Sequence, residues 1–262
     1  MPPALDIEVA EGKSAAQLEQ WIEEFTSELK RLTGRTPMIY TYKYFWMGQM
    51  NNSQKFSDLP LWLAAYQDQA PDTVGGWNKL SFWQRSGSGK VAGIPTDVDM
   101  NLFNGSKQQL QSFSDGNYVD VGGALEQLVV SDGLDLSSDS TPLIGAILAL
   151  AAGLIALPQL ADAAEKSGLD PQAAQGLAGF VKTLQDKDAL PVEDLGDMAK
   201  GDFSVSDLAI LLDNAGHVNN VKSGNVSESE VSEAKNAAKK AGADIPDFDA
   251  GQVATLLNRV LQ

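Results

Sequence analysis

The chain has 262 residues, with 19 Lys and Arg against 35 Asp and Glu, a net charge of -16, one His and no Cys. Those counts exclude structural disulfides, Cys-ligated zinc and a cysteine nucleophile, and so acidic a chain is a poor partner for nucleic acid, whose backbone is gripped by Lys and Arg. The charge is unevenly spread. Residues 1–113 carry 10 basic and 12 acidic side chains, all five Trp and six of the nine Phe, whereas residues 114–262 carry 9 basic and 23 acidic side chains and no Trp. Two unlike modules are expected, and the length is slightly short for an eight-stranded β/α barrel of about 250 residues plus a second domain. The opening stretch Met1–Glu8 runs straight into charged sequence, so no export signal is expected in it.

In the first module, Ala4–Val9 reads as a short strand behind two prolines. A helix is expected over Ser14–Leu32, where Leu18, Trp21, Ile22, Phe25 and Leu29 recur at helical spacing and Gly34 stands past the end. Thr36-Pro37 opens a strand over Met38–Phe45, dense in β-branched and aromatic residues. Leu61–Tyr66 and Leu80–Gln84 are two more strands, separated by a loop holding Pro71, Gly75 and Gly76. Val91–Ile94 and Val98–Phe103 are expected to close the module around a Ser-Gly-Ser-Gly turn at residues 86–89. Only the first strand is followed by a clear long helix.

Ser112–Asn117 reads as a linker and Ser137–Ser140 as a second soft break, giving a linker over 114–140 and an acidic, almost wholly helical domain over 141–262. Thr141-Pro142 and Asp170-Pro171 each place a capping side chain before a proline. The uncharged run Leu143–Leu157 is shorter than the 18 or so residues of a bilayer span, which leaves a buried hairpin core, a membrane-associated helix or an interface helix. A weak repeat follows at Phe203–Leu208, Val226–Val231 and Phe248–Val253, spaced by 23 and 22 residues. Each copy has a capping Ser or Asp, an acid or amide three residues on, and flanking apolar residues, the pattern of a capping box with its hydrophobic staple. None has the alternating ligands, central Gly and closing Glu of a calcium loop. His217 has no relay or ligand partners near it in sequence and reads as a surface or loop residue.

The strongest chemical feature is Asp6-Ile7-Glu8. Residues two apart on a strand face the same side, so both carboxyl groups would share one cavity. A like charge and burial raise the pKa of one member, so one acid could hold a proton while its neighbour stays ionised, as cleavage of a glycosidic bond requires. Such pairs are also common on solvated strand ends. Here aromatic residues recur at strand ends: Tyr40, Tyr42, Trp62, Tyr66 and Trp83. Flat faces and hydroxyls around paired acids suit sugar rings, while Trp21, Phe25 and Phe82 are expected to be mostly core. Asp97 and Asp99 repeat the paired-acid spacing on the last strand, where acids are also frequent turn and cap formers.

Pro3–Glu8, Gly34–Thr41, Leu61–Tyr66, Phe82–Gln84 and Gly89–Ile94 through Val98–Phe103 together resemble, in order, glycoside hydrolase family 25, the lysozymes (N-acetylmuramidases) that cut the β-1,4 bond after N-acetylmuramic acid in peptidoglycan. The resemblance spans residues 3–113, and none is evident for residues 114–262. It implies an α/β fold, a modified β/α barrel whose later strands lack full helices; the all-α domain expected after it is read from the helical pattern alone. It also implies Glu8 as general acid/base, Asp6 as the residue that orients and stabilises the intermediate, and retention assisted by the substrate's 2-acetamido group. Tyr40 and Tyr66 would contact the sugar, Trp62 and Trp83 would line the cleft, and Asp99 matches the family's acid on the last strand. No metal or organic cofactor is implied; the partner is a peptidoglycan glycan strand, outside the membrane or in the cell wall.

The resemblance also implies an aspartate-bearing first strand and two further strand-helix units ahead of the D-x-E strand, which here lies at residues 6–8. About half of the barrel would be absent, and open edges leave ladder donors and acceptors unpaired. Three expectations follow: an enzyme whose start lies further upstream, an inactive truncated remnant, or a protein whose helical half supplies an envelope-binding or structural role.

Overall fold

A computed structural model describes residues 1–118, 122–125, 128–130 and 135–217. The chain divides into two compact units at Asp135/Leu136, inside the stretch expected as a linker.

The first unit is built on one five-stranded sheet of sequential order β1 to β5. Strands β1 (Ala4–Asp6), β2 (Met38–Tyr42), β3 (Leu61–Ala64) and β4 (Phe82–Gly89) run parallel, and β5 (Val98–Phe103) returns antiparallel to β4. Helix α1 (Ala15–Thr33) makes the β1–β2 crossover. Its start and stop are written locally: Ser14 and Gln17 form a reciprocal capping box, and Gly34 ends it at φ 69°. It buries Leu18, Ile22 and Thr26, an i, i+4, i+8 stripe. Trp21 and Phe25 do not belong to the core as expected; they are 47% and 39% exposed and stack on each other at 5.2 Å. Each lies one residue before the buried stripe, a rotation of about 100° around the helix.

Other boundaries also shift. β1 stops at Asp6, so Glu8 lies two residues beyond the strand. β2 gives way after Tyr42 to a helical segment with a π-helical turn at Phe45–Gln49. Within it Trp46 is buried, donates to the Ser53 carbonyl at 2.9 Å and packs edge-on to Trp77 at 4.9 Å. The Ser-Gly-Ser-Gly run is not a turn: it belongs to β4, where two register shifts bend the strand. Gly89 is needed there because a Cβ would collide with the Met100 side chain across the ladder. The connection therefore falls at residues 90–97, and Val91–Ile94 is exposed turn rather than strand. Helix α2 (Lys107–Ser114), capped by Ser106 and Gln109, follows β5 and occupies part of the segment read as linker.

Register fixes the two faces of the sheet. Asp6, Tyr40, Trp62, Phe82 and Phe103 form one row across all five strands, and Tyr42, Ala64, Gln84 and Asn101 form the next. Leu5, Ile39, Thr41, Leu61, Leu63 and Trp83 alternate onto the opposite face and are buried there. The Thr41 hydroxyl, wholly buried, has no hydrogen-bond partner among the described residues.

The second unit contains α3 (Thr141–Ala151), α4 (Leu157–Lys166), α5 (Pro171–Asp186), α6 (Val192–Met198) and α7 (Val205–His217). Asp170 caps α5, accepting from the Gln172 and Ala173 amides. Thr141 is not a cap: it is already the first residue of α3, and Asp139 accepts from its amide at 2.9 Å. The apolar run Leu143–Leu157 is broken after α3, with Gly153 at φ 71°, and α3 is buried from Leu143 to Ala151. Among the described residues no helix is long and apolar enough to cross a membrane. The first repeat copy forms its capping box: Ser204 donates to Asp207 at 2.7 Å, and the Asp207 amide donates back at 3.3 Å. The copies at 226–231 and 248–253 lie outside the described residues.

Candidate functional site

The row of Asp6, Tyr40, Trp62, Phe82 and Phe103 is open. Asp6 is exposed, and Trp62, Phe82 and Phe103 are only half-buried. Side chains two strands apart meet over it. Tyr40 on β2 donates its hydroxyl proton to Gln84 Oε1 on β4 at 2.8 Å, and Trp62 Nε1 on β3 donates to Asn101 Oδ1 on β5 at 2.8 Å. Ala64 makes the first reach possible, because it stands between Tyr42 and Gln84 in register and presents only a methyl. Trp62 also meets Tyr40 edge-on, with ring centroids 5.0 Å apart. Neighbouring strands lie about 4.8 Å apart, so these cross-strand bonds describe a concave surface.

The acids gather at one side of that surface. The Asp6 and Glu8 carboxyl groups share a hydrogen bond. Although Asp6 as a residue is exposed, loss of water around its carboxyl is the largest influence on it and raises its pKa; the Asp99 charge adds to the rise and the bond from Glu8 opposes it. Asp99 is exposed on β5, four strands away in order, yet its field reaches both Asp6 and Tyr40, as the concave shape requires. Burial first, then the charge of Glu8, hold the Tyr40 phenol protonated far above its ordinary range.

Tyr66 follows β3 and also donates to Gln84 Oε1, at 3.4 Å. Gly87 is required beside it, since a Cβ there would lie 2.8 Å from the Tyr66 hydroxyl. Of the residues singled out in the sequence, Asp6, Glu8, Tyr40, Trp62, Tyr66 and Asp99 are thus brought to one region. Trp83 is not. It alternates onto the opposite face, is wholly buried, and donates to the Ala65 carbonyl at 2.7 Å. Asp97 sits on the exposed 90–97 connection, paired with Lys90. Gln84 and Asn101 were not among the expected site residues; the signal for them was alternation, two residues on from Phe82 and from Asp99. Among the described residues, no group of three or more His, Asp or Glu is placed to hold a metal ion.

Two neighbouring carboxyl groups beside tyrosine hydroxyls and an indole are residue types that cleavage of a glycosidic bond can use. Comparison with known proteins finds that residues 1–94 match the family model "Glycosyl hydrolases family 25", so this part of the chain is similar to those enzymes. "Uncharacterized protein YegX" of Escherichia coli O157:H7 is 36% identical over 116 residues, 44% of this chain and 41% of that protein. "Lysozyme M1" of Streptomyces globisporus is 36% identical over 119 residues, 42% of this chain and 40% of that protein. Among solved structures, the bacterial lysozyme of Streptomyces coelicolor is 32% identical, with a TM-score of 0.43 over 45% of this chain and 57% of that one. The chain therefore spans about two fifths of the length of these two curated relatives.

Proposed function

We propose that residues 1–113 are the carboxy-terminal half of a family 25 muramidase barrel, and that their concave face cleaves the β-1,4 bond after N-acetylmuramic acid in peptidoglycan, in the cell wall. The observation that carries this is the hydrogen-bonded Asp6–Glu8 pair on an open, aromatic-lined face. In this reading Glu8 gives a proton to the leaving glycosidic oxygen as the C1–O bond breaks. The carbonyl oxygen of the substrate's own 2-acetamido group bonds to C1, and Asp6 orients that group and offsets its positive charge. Water then attacks C1, returns a proton to Glu8 and restores the acetamido group, so configuration is retained. Tyr40 and Tyr66 position the sugar, Trp62 gives it a flat face, and Asp99 keeps the region negative as positive charge develops at C1.

Among the described residues the outer edge of β1 has no strand beside it, and the face is open. Water-exposed charges are weak electrostatic catalysts, so full activity calls for further strands against β1. The test is release of reducing ends from purified peptidoglycan. It compares the 262-residue chain, the same chain preceded by the amino-terminal strands of a family 25 relative, and Glu8→Gln in each. The extended chain should release reducing ends at least tenfold faster than the chain alone, and Glu8→Gln should abolish the release. No release by the extended chain, or release that survives Glu8→Gln, would sink the reading.

A further inference from the structure

Gln84 has no charge and is 3% exposed, so it is not a group that exchanges protons with a substrate. Its amide oxygen nevertheless receives two phenol protons, from Tyr40 at 2.8 Å and Tyr66 at 3.4 Å. An amide oxygen has two lone pairs, so these bonds saturate it. A phenol has a single proton, so a tyrosine that donates to Gln84 can only accept from anything else it meets. Both tyrosines reach Gln84 from other segments, Tyr40 from β2 and Tyr66 from the end of β3, and Ala64 and Gly87 provide the room. Gln84 itself is fixed by the ladder: it pairs with Ala64 on one side and Asn101 on the other, and its carbonyl accepts from the Ala65 amide at 3.0 Å. The same pattern recurs one strand over, where the Asn101 amide oxygen takes the Trp62 indole proton.

We propose that Gln84 is a positioning residue that commits the Tyr40 and Tyr66 hydroxyl protons inward and so turns both oxygens into fixed acceptors toward the concave face. A face of acceptors, with Asp6, Glu8 and Asp99 beside it, selects a ligand rich in donors, and the hydroxyl and amide N–H groups of an N-acetylated sugar are such donors. This inference rests on the saccharide reading of the face.

The probe is the N-acetylglucosamine tetramer, with affinity measured by calorimetry on the full chain. Variants are Gln84→Met, which keeps the shape and loses the acceptor; Tyr40→Phe; the double variant; and Gln84→Glu, which keeps an acceptor oxygen in either protonation state. Gln84→Met should weaken binding about fivefold, the value of one hydrogen bond. Because it acts through the tyrosines, adding it to Tyr40→Phe should cost less than a further twofold, a non-additive result that a general loosening of the fold would not produce. Gln84→Glu should bind within about twofold of the parent at pH 4.5, each compared at the same pH, because its oxygen still takes the tyrosine protons. Parent binding that is unchanged by Gln84→Met, or costs that simply add in the double variant, would overturn the positioning role and leave the saccharide reading standing. No binding by the parent itself would overturn both. If Gln84→Met loses its near-ultraviolet circular dichroism, Gln84→Glu decides, and a loss beyond twofold there overturns the positioning role.

Discussion

Replacing Thr41 by Val should make the first unit more stable. Thr41 lies on the central strand β2 between Tyr40 and Tyr42, but faces the other side of the sheet, in register with Leu63 and among Ile39 and Leu61. It is wholly buried and its hydroxyl has no partner among the described residues. A buried polar group without a hydrogen bond costs about 1–3 kcal/mol, and Val has the same branched shape, so no cavity or clash arises. The added methyl contributes up to about 0.8 kcal/mol of burial. A net gain of about 1–2 kcal/mol is expected, which for a unit of this size raises the melting temperature by about 3–6 °C. Thr41→Ser is the control, since it keeps the hydroxyl, removes the methyl and should cost about 1 kcal/mol. Urea unfolding followed by tryptophan fluorescence isolates the first unit, because all five Trp lie within residues 1–113. A Val variant no more stable than the parent would show that the hydroxyl is satisfied in solution and refute the argument.

Three further outcomes are expected. The folded Asp6 pKa lies above its ordinary value of 3.8, so the folded state holds the proton more tightly than the unfolded one. Stability from this group is present below pH 3.8 and is lost as pH rises through the folded value; Asp6→Asn should therefore exceed the parent in stability at pH 7 and converge on it below pH 3.8 in denaturant midpoints. Ile22→Ala should cost about 2–5 kcal/mol, whereas Trp21→Ala, one position away on the exposed side of α1, should change stability by less than about 1 kcal/mol in the same urea titration. Ser204→Ala removes the cap of α7 and should cost about 1 kcal/mol, read as earlier loss of helical circular dichroism from the second unit.

Much of the site was legible because its residues follow the two-residue period of a strand. Asp6 and Glu8 announced themselves that way, and Tyr40 and Trp62 sit at strand positions that share a row with Asp6. What stayed hidden has physical causes. Trp83 looks like a cleft residue by type, but its neighbours Phe82 and Gln84 take the open face, and alternation sends the indole to the other side. Gln84 is unremarkable until β2 and β3 are paired beside β4, because its meaning lies in two hydroxyls supplied by distant segments. The Ser-Gly-Ser-Gly run carries turn residues, yet bulged pairing with β5 uses its glycines for close approach rather than reversal. In α1 the hydrophobic residues were wider than one face, and only packing shows that Leu18 and Ile22 go in while Trp21 and Phe25 stay out.

Among the described residues no strand lies against the outer edge of β1, and such an edge would ordinarily be a hazard, since a row of free amides and carbonyls invites another chain to dock. This strand is a poor template. It is three residues long, and two residues without amide hydrogens, Pro2 and Pro3, stand directly before it. Asp6 closes the strand with a carboxyl group whose charge two stacked copies would bring together. The carboxyl group that faces the site thus also guards its border, discouraging indiscriminate self-pairing whenever it is ionised.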